Sequence, residues 1–372
     1  MLARKTQLNV SLAAKEASYD AAAAIDQLLL SNLGAIPQEV VQTINDQDLT
    51  GGTEEASDQE VFAQMVTFPV AFNRVKPTTL LFVAAYGLGS VAVALANTST
   101  PAADVRQYAC TPVAGDLSSF TFEHWYDTAL KYKYTGGLVN SFNLSVQRGA
   151  NRFVSLSAEI LASGTRAAGG SAQTEASESQ LNAASAGAWL LEDSGNDADA
   201  ILASSEGTAA NRSQGLDPAT TDLSGSGSAA SDITAELRSM EWSFSNNIST
   251  EDNYRIGGGK VLSALDRGGR TQTLTLTLDH VDDVETARLK AQHLVAFQMI
   301  VRGAESSGDS GYYHGFNLIF PQLKTQSVQV TEQGGNLVDQ IVYSVLDDGA
   351  AVPEHPSVYF DIFCEAGANV AQ

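Results

Sequence analysis

A run of regularly alternating residues at 138–160 is the feature that most limits how this chain can fold. In LVNSFNLSVQRGANRFVSLSAEI, apolar and polar residues alternate on both sides of a polar tip that contains Gly149 and Asn151. A period of two places one face of a strand in a core and the other in water, and the tip suits a turn. The stretch therefore predicts a β-hairpin. One arm alternates Leu138, Phe142, Leu144 and Val146 with Ser141, Asn143 and Ser145, and the other alternates Val154, Leu156, Ala158 and Ile160 with Ser155, Ser157 and Glu159.

The same pattern returns in the last third of the chain. In ELRSMEWSFS, Met240, Trp242 and Phe244 share one side, and the serines share the other side with Glu241. In RTQTLTLTLDH, leucines at 274, 276 and 278 alternate with Thr273, Thr275 and Thr277. Further strands are predicted at 60–70, 119–124, 130–134, 316–320, 327–331 and 338–346.

Two helices interrupt these strands. Pro77 in the first turn and the glycines at the end of PTTLLFVAAYGLG predict the first helix. Asp282 or Asp283 is expected to cap the second helix, in VDDVETARLKAQHLVAF. One face of this helix is predicted to carry Val284, Ala287, Ala291 and Leu294.

The two halves of the chain are alike in kind, since each combines hairpins with one helix, and this suggests a duplication. Residues 163–235 between them are rich in glycine, serine, alanine and acids. We therefore predict a first domain with an N-terminal arm at 1–162 and a second domain at 236–372. The segment 163–235 is predicted to be a flexible or surface-exposed insertion in which Ala188–Leu191 docks locally.

The charge of the chain excludes some functions. Asp and Glu total 43 against 21 Lys and Arg, which gives a net charge of −22. Such a chain is a poor clamp for nucleic acid, which is held by dense Lys and Arg, although DNA can still pass by it. No membrane-spanning segment or signal peptide is predicted. Cys110 and Cys364, the two cysteines, are interpreted as buried or incidental thiols in a reducing compartment.

No catalytic, cofactor or metal site is predicted. The acidic run Asp279–Asp283 is interpreted as a strand end followed by a helix cap, with a cation site as the alternative. Gly257–Lys260 lacks the spacing of a phosphate loop, and no G-x-S-x-G elbow occurs. Arg267 and Arg270 form a basic tip, read either as a solvated turn or as a contact with a neighbouring subunit. Arg148, in the hairpin turn, is a further candidate for such contacts.

Four segments of the sequence resemble the tail tube proteins of long-tailed bacteriophages, of the siphophage type. They are YKYTGGLVNSFNLSVQRG, VSLSAEILASG, SMEWSFSNNIS and TQTLTLTLDHVDD. The opening QLNVSLAAKEASYD is similar to the arm of that family, with Asp20 where glycine is usual. The resemblance covers most of the chain outside the insertion, and it consists of strand patterns without catalytic residues.

The resemblance implies a mainly β fold of sandwich or barrel-like tube domains, each with a flanking helix. Subunits of that family form rings, the rings stack into a hollow tube, and strands joined edge to edge form a continuous inner β-barrel that DNA travels through without specific binding. Two tandem tube domains imply a trimeric, pseudo-hexameric ring, with a hexamer as the alternative. The implied partners are the tape-measure, tail terminator and tail-tip proteins. The implied location is the virion tail, after synthesis in the cytoplasm of the host bacterium.

On this interpretation, the polar faces of the alternating strands line the channel. The candidate lumen-facing residues are Ser141, Asn143, Ser145, Thr273, Thr275 and Thr277, and the candidate contacts between rings or subunits are Arg148, Arg267 and Arg270. Two alternatives remain open at this point. One is a β-sandwich that binds carbohydrate or a cell surface, for which Tyr312–His314 is the candidate platform, and the other is a hydrolase on a β-scaffold.

Overall fold

The computed structural model describes residues 7–32, 36–45, 59–95, 105–127, 129–148, 153–170, 172–193, 231–250, 262, 267–306, 312–347, 356–366 and 370. Strands dominate this part of the chain, so the predicted mainly β fold is confirmed. The helices are α1 (Pro77–Leu88) and α2 (Val284–Ala291), and a 3₁₀ turn covers Ala183–Ser185. The strands are β1 (Gln7–Val10), β2 (Gln27–Leu29), β3 (Gln38–Asn45), β4 (Gln59–Phe72), β5 (Gly89–Leu95), β6 (Arg106–Pro112), β7 (Phe120–Trp125), β8 (Lys131–Gln147), β9 (Ser155–Ala162), β10 (Arg166–Ala168), β11 (Ala186–Asp193), β12 (Ser231–Asp232), β13 (Leu237–Ser245), β14 (Thr271–Asp279), β15 (Leu294–Glu305), β16 (Tyr313–Gln333), β17 (Asn336–Val345) and β18 (Tyr359–Cys364).

Eight strands form the larger layer, in the order β3, β4, β9, β8, β13, β14, β17, β16, and each neighbouring pair is antiparallel. The second layer has the order β12, β11, β15, β16, β18, β6, β5. Strand β16 belongs to both layers, because its first half pairs with β15 and β18 and its second half pairs with β17. Within the described residues this ladder stays open and does not close into a barrel.

The two layers face each other around one core. The ring of Trp242 on β13 packs edge-on against Phe320 of β16 and Phe360 of β18, with centroids 5.4 and 5.6 Å apart. All residues of α1 are buried, and the helix belongs to the same core as these aromatic rings. A smaller sheet, in the order β2, β1, β7, the first half of β8, and β10, completes the fold.

The first predicted helix is confirmed, and the second differs from its prediction. Helix α1 starts at Pro77 and ends at Leu88, and the next residue is Gly89, whose φ of 90° suits a residue without a Cβ. Helix α2 ends at Ala291, and Leu294 already lies in β15. The predicted apolar helix face of Val284, Ala287, Ala291 and Leu294 is therefore wrong. Val284, Ala287 and Ala291 are exposed, and α2 buries Glu285 instead.

A bulge changes one face of the predicted hairpin. The register between β8 and β9 shifts between Val139 and Ser141. The residues after this bulge alternate as expected, but Leu138 packs with Leu161 and Ile248 in a separate small cluster, while Val139 enters the main core. A bulge inserts one unpaired residue and so exchanges the faces on its two sides.

Part of the segment predicted as an insertion contributes strands. The segment Ala188–Leu191 lies in β11, which pairs along its whole length with β15, and β10 pairs with β8. Residues 194–230 of this segment lie outside the described part of the chain, as does the glycine-rich run 257–260. The three-part division at 162 and 235 stays a prediction.

Candidate functional site

The six candidate lumen-facing residues lie on one continuous surface. Strand β13 separates β8 from β14, and its registers place Asn143 opposite Ser243 and Ser243 opposite Thr273. All six residues are partly exposed. The strands of the two chain halves therefore present a single surface, which we call the polar face. It comprises Ser155, Ser157 and Glu159 of β9, Ser141, Asn143 and Ser145 of β8, Ser239, Glu241, Ser243 and Ser245 of β13, Thr273, Thr275 and Thr277 of β14, and Gln340, Val342 and Ser344 of β17.

Alternation positions the polar face, because the residues between its members point into the core. Leu144, Trp242 and Leu274 are buried, and Trp242 lies opposite Leu144 of β8 on one side and Leu274 of β14 on the other. The serines of β13 complete the surface between the two predicted patches. Sequence reasoning recognised their alternation and did not assign them to the channel.

A depression opens at one end of the polar face. It has a volume of about 610 Å³ and is lined by residues of β4, β9, β8, β13 and β14, with Ser141, Asn143, Ser243 and Thr273 among them.

The electrostatics of this surface are mild and negative. Its charged members are Glu159 and Glu241, and each accepts a hydrogen bond from an asparagine of β8, Asn140 and Asn143 respectively. Asn143 also donates to the Oγ of Ser243 at 3.2 Å. Lys324 on β16 lies opposite Ser344 and places a cation beside this surface. Hydroxyls and amides held by one another offer little to which phosphates could bind tightly.

The three candidate contact arginines lie at opposite ends of the larger layer. Arg148 follows the end of β8 and donates to the carbonyl of Ala235 at 2.6 Å. Arg267 and Arg270 lie before β14 at the other end, where both donate to the carbonyl of Val113. These bonds within the chain leave the role of the arginines between rings or subunits a prediction.

Side chains of the run Asp279–Asp283, at the end of β14, form ion pairs and hydrogen bonds within the chain. Arg238 pairs with Asp279, and His280 Nδ1 lies 2.9 Å from Asp339. This hydrogen bond to Asp339 raises the pKa of His280. Asp282, rather than Asp283, accepts from the first helical amide, that of Val284, at 3.0 Å. Among the described residues, His, Cys, Asp and Glu form no group of three placed to hold a metal ion.

Two acids of the N-terminal arm each accept several hydrogen bonds that hold the arm in place, a role that the sequence pattern did not predict. Glu16 is buried and accepts from the hydroxyls of Ser119 and Thr121, both at 2.7 Å, and from the amide of Gly136. Asp20 has a φ of 66°, which explains why glycine suits this position. Its carboxylate accepts from the hydroxyls of Thr135, Ser163 and Thr165. The signal was present in the sequence as an acid at the position of the arm where glycine is usual and a second acid four residues before it.

The candidate aromatic platform of the adhesion alternative is partly engaged inside the chain. His314 is buried and lies 3.0 Å from a carboxylate oxygen of Glu365, and Arg302 covers the ring of Tyr313 at 4.7 Å. Burial raises the pKa of both cysteine thiols, Cys110 and Cys364, as expected for inert thiols. In the described part of the chain, neither helix is long and apolar enough to cross a membrane.

Comparison with known proteins agrees with these observations. The family model described as phage tail tube protein matches residues 7–335. A search of the curated proteins gives no match.

Proposed function

Because the chain belongs to the phage tail tube protein family, we propose that it assembles into stacked rings that form the hollow tail tube through which genome DNA is delivered into the bacterial host. The chain is then a structural component of the virion tail. Its partners are further copies of itself and the tape-measure, terminator and tip proteins.

The polar face carries this proposal. It extends over five neighbouring strands, and its members are mostly serine, threonine, asparagine and glutamine with two carboxylates. DNA that slides along such a surface meets hydroxyls and a weak repulsion instead of Lys and Arg clamps. We therefore assign Ser141, Asn143, Ser145, Thr273, Thr275 and Thr277 to the channel lining.

We propose a trimeric ring with pseudo-sixfold symmetry rather than a hexamer. The order of strands in the larger layer supports a duplication, because a hairpin, a helix and a second hairpin occur twice. The first set is β3, β4, α1, β8 and β9, and the second set is β13, β14, α2, β16 and β17. In both sets the pairing order is first, second, fourth, third strand. Three copies of such a chain contain six comparable units.

Electron microscopy of the purified protein tests the proposal. Rings or tubes are expected on concentration, and a helical reconstruction is expected to place Asn143 and Thr275 toward the axis. A protein that remains monomeric at every concentration would contradict the proposal. A tube in which Ser141, Asn143 and Thr275 are shielded from the channel would overturn the assignment of the lining while leaving the tube intact.

A further inference from the structure

We infer that the β8–β13 junction inside the chain is repeated between chains, where the open edge of β16 pairs with the open edge of β3 in the next subunit. The inference rests on the proposed ring and adds to it a specific joint with a specific register. The partner is a second copy of this chain.

The registers of the two strand sets agree in detail. In the first set, β8 and β9 shift register between Val139 and Ser141, and Val139 lies opposite Ile160. In the second set, β16 and β17 shift register between Thr325 and Ser327, and Thr325 lies opposite Tyr343. Superposing the two bulges places the residue pair Asn143 and Ser157 of the first set on the residue pair Gln329 and Gln340 of the second set.

The same superposition relates β3 to β13. Ile160 lies opposite Phe68, and Tyr343 lies opposite Leu274, so that Phe68 of β4 corresponds to Leu274 of β14. Leu274 lies opposite Trp242 of β13. In the first set, Gln38 of β3 lies opposite Thr67 of β4, and continuing this register by one residue places Pro37 opposite Phe68. Pro37 and Trp242 are both buried. Ser243 therefore corresponds to Gln38.

The joint between subunits follows from these correspondences. Inside the chain Asn143 lies opposite Ser243. Between chains, Gln329 of one subunit is then expected opposite Gln38 of the next. Both glutamines are exposed in the single chain.

Both edges are suited to pairing. In the described residues β3 pairs with β4 alone, and β16 beyond Thr325 pairs with β17 alone. Edge strands that stay open in solution are guarded by Lys, Pro or inward-pointing charges. The strand QEVVQTIN and the segment QSVQVTEQ at 326–333 contain one acid each and no Lys, Arg or Pro. Val41 and Val330 on these edges are each 47% exposed.

The direction of the strands allows the joint to close a ring. An even number of antiparallel strands separates β3 from β16, so the two edges run in opposite directions. Copies related by rotation therefore meet in antiparallel pairing, as β8 and β13 do. Because the two edges are different surfaces, the contact is head-to-tail, and a head-to-tail contact forms a ring when its rotation closes.

Paired cysteines test the joint in the assembled tube. Opposite residues of antiparallel strands lie at a Cα separation that a disulfide can bridge. The double variant Gln38→Cys/Gln329→Cys is expected to form covalent multimers up to a closed ring after mild oxidation, as seen on a denaturing gel without reductant. The native Cys110 and Cys364 are buried and free, so they contribute no background.

The matched control is Gln42→Cys/Gln329→Cys, which moves one cysteine four residues along the same strand, about 13 Å. This control is expected to stay monomeric on the gel. Equal cross-linking of both variants, or a covalent dimer from Gln38→Cys alone, would overturn the joint. Electron microscopy of the same samples separates this failure from that of the proposed function. Rings without the expected cross-link overturn the joint alone, whereas a protein without rings overturns the tube.

Discussion

The carboxylate of Glu178 accepts two hydrogen bonds from Thr78, one from the backbone amide at 3.0 Å and one from the hydroxyl at 2.7 Å. Thr78 lies in the first turn of α1, and Lys76 at the start of this helix provides no side-chain cap. The other oxygen of Glu178 accepts from the amide of Glu365 at 2.8 Å. Helix α1 is therefore capped by Glu178, which lies one hundred positions away in the segment predicted as an insertion.

Replacing this cap tests how far the segment is part of the fold. Glu178→Ala is expected to lower the free energy of unfolding by about 2–4 kcal/mol, because two buried donors of Thr78 and the partly buried amide of Glu365 lose their acceptor. The variant also removes a negative charge from the helix N-terminus. Urea unfolding measures the loss, with the exposed Glu332→Ala as control. Equal midpoints for the two variants would show that the segment does not stabilise α1.

The buried Glu16 is expected to be a second sensitive acid. Glu16→Ala removes the acceptor for the hydroxyls of Ser119 and Thr121 and the amide of Gly136. A loss of about 3–5 kcal/mol is expected, since each buried donor left unpaired is costly. Glu16→Gln, which keeps the shape and one acceptor oxygen, should lose less. Thermal unfolding compares the two variants, and a milder effect of alanine than of glutamine would contradict this account.

Two variants at Asp20 separate the contribution of its backbone conformation to stability from the contribution of its side-chain hydrogen bonds. Asp20→Gly and Asp20→Ala both remove the acceptor for three hydroxyls, but only glycine adopts the φ of 66° at no cost. The alanine variant is expected to be less stable than the glycine variant by about 1–2 kcal/mol. Denaturant unfolding of the pair measures the difference. Equal stabilities would mean that the arm rearranges when the carboxylate is lost.

The pair of His280 and Asp339 predicts a pH dependence. The hydrogen bond to Asp339 raises the pKa of His280 in the folded chain, so protonation of the histidine favours folding. The stabilisation is fully present below the unfolded pKa of histidine, about 6.5, and is lost as the pH rises through the higher folded value. His280→Gln is therefore expected to lose more stability at about pH 5.5 than at about pH 8.5.

Asp339→Asn provides the control for this prediction. In the Asp339→Asn background, the pH-dependent part of the His280→Gln effect is expected to disappear, because the interaction between the two residues is already absent. Chemical unfolding of the four proteins at both pH values forms the cycle. An unchanged pH dependence in the double variant would assign the effect to other groups.

Charge placed on the polar face is expected to change how the tube treats DNA. Asn143→Arg/Thr275→Arg adds two cations per subunit to the proposed lining, so assembled tubes should retain DNA in a manner that high salt reverses. The control Ala167→Arg/Ala168→Arg adds the same charge to exposed residues of β10, outside the polar face. Filter retention of labelled DNA across a salt series compares them. Equal retention by both tubes would contradict the lining.

Local pattern was sufficient for the faces of the strands and for α1. Leucines that alternate with threonines at 273–278 can satisfy both water and a core only as a strand with two unlike faces. Pro77 and Gly89 mark the ends of α1 for similarly local reasons. Helix α2 shows the limit of such reasoning, because ARLKAQHLVAF matches a helical period and its last residues nevertheless pair as β15.

The sequence by itself determined which side chains share a face, since the period of two is a property of neighbouring residues. Only the tertiary structure decided which faces join into one surface. Strand β13 pairs with β8 across about one hundred residues and unites Asn143 with Thr273. Glu178 reaches Thr78 over a similar separation. Such contacts depend on strand partners and registers chosen by the burial of the whole core, and no local period encodes that choice.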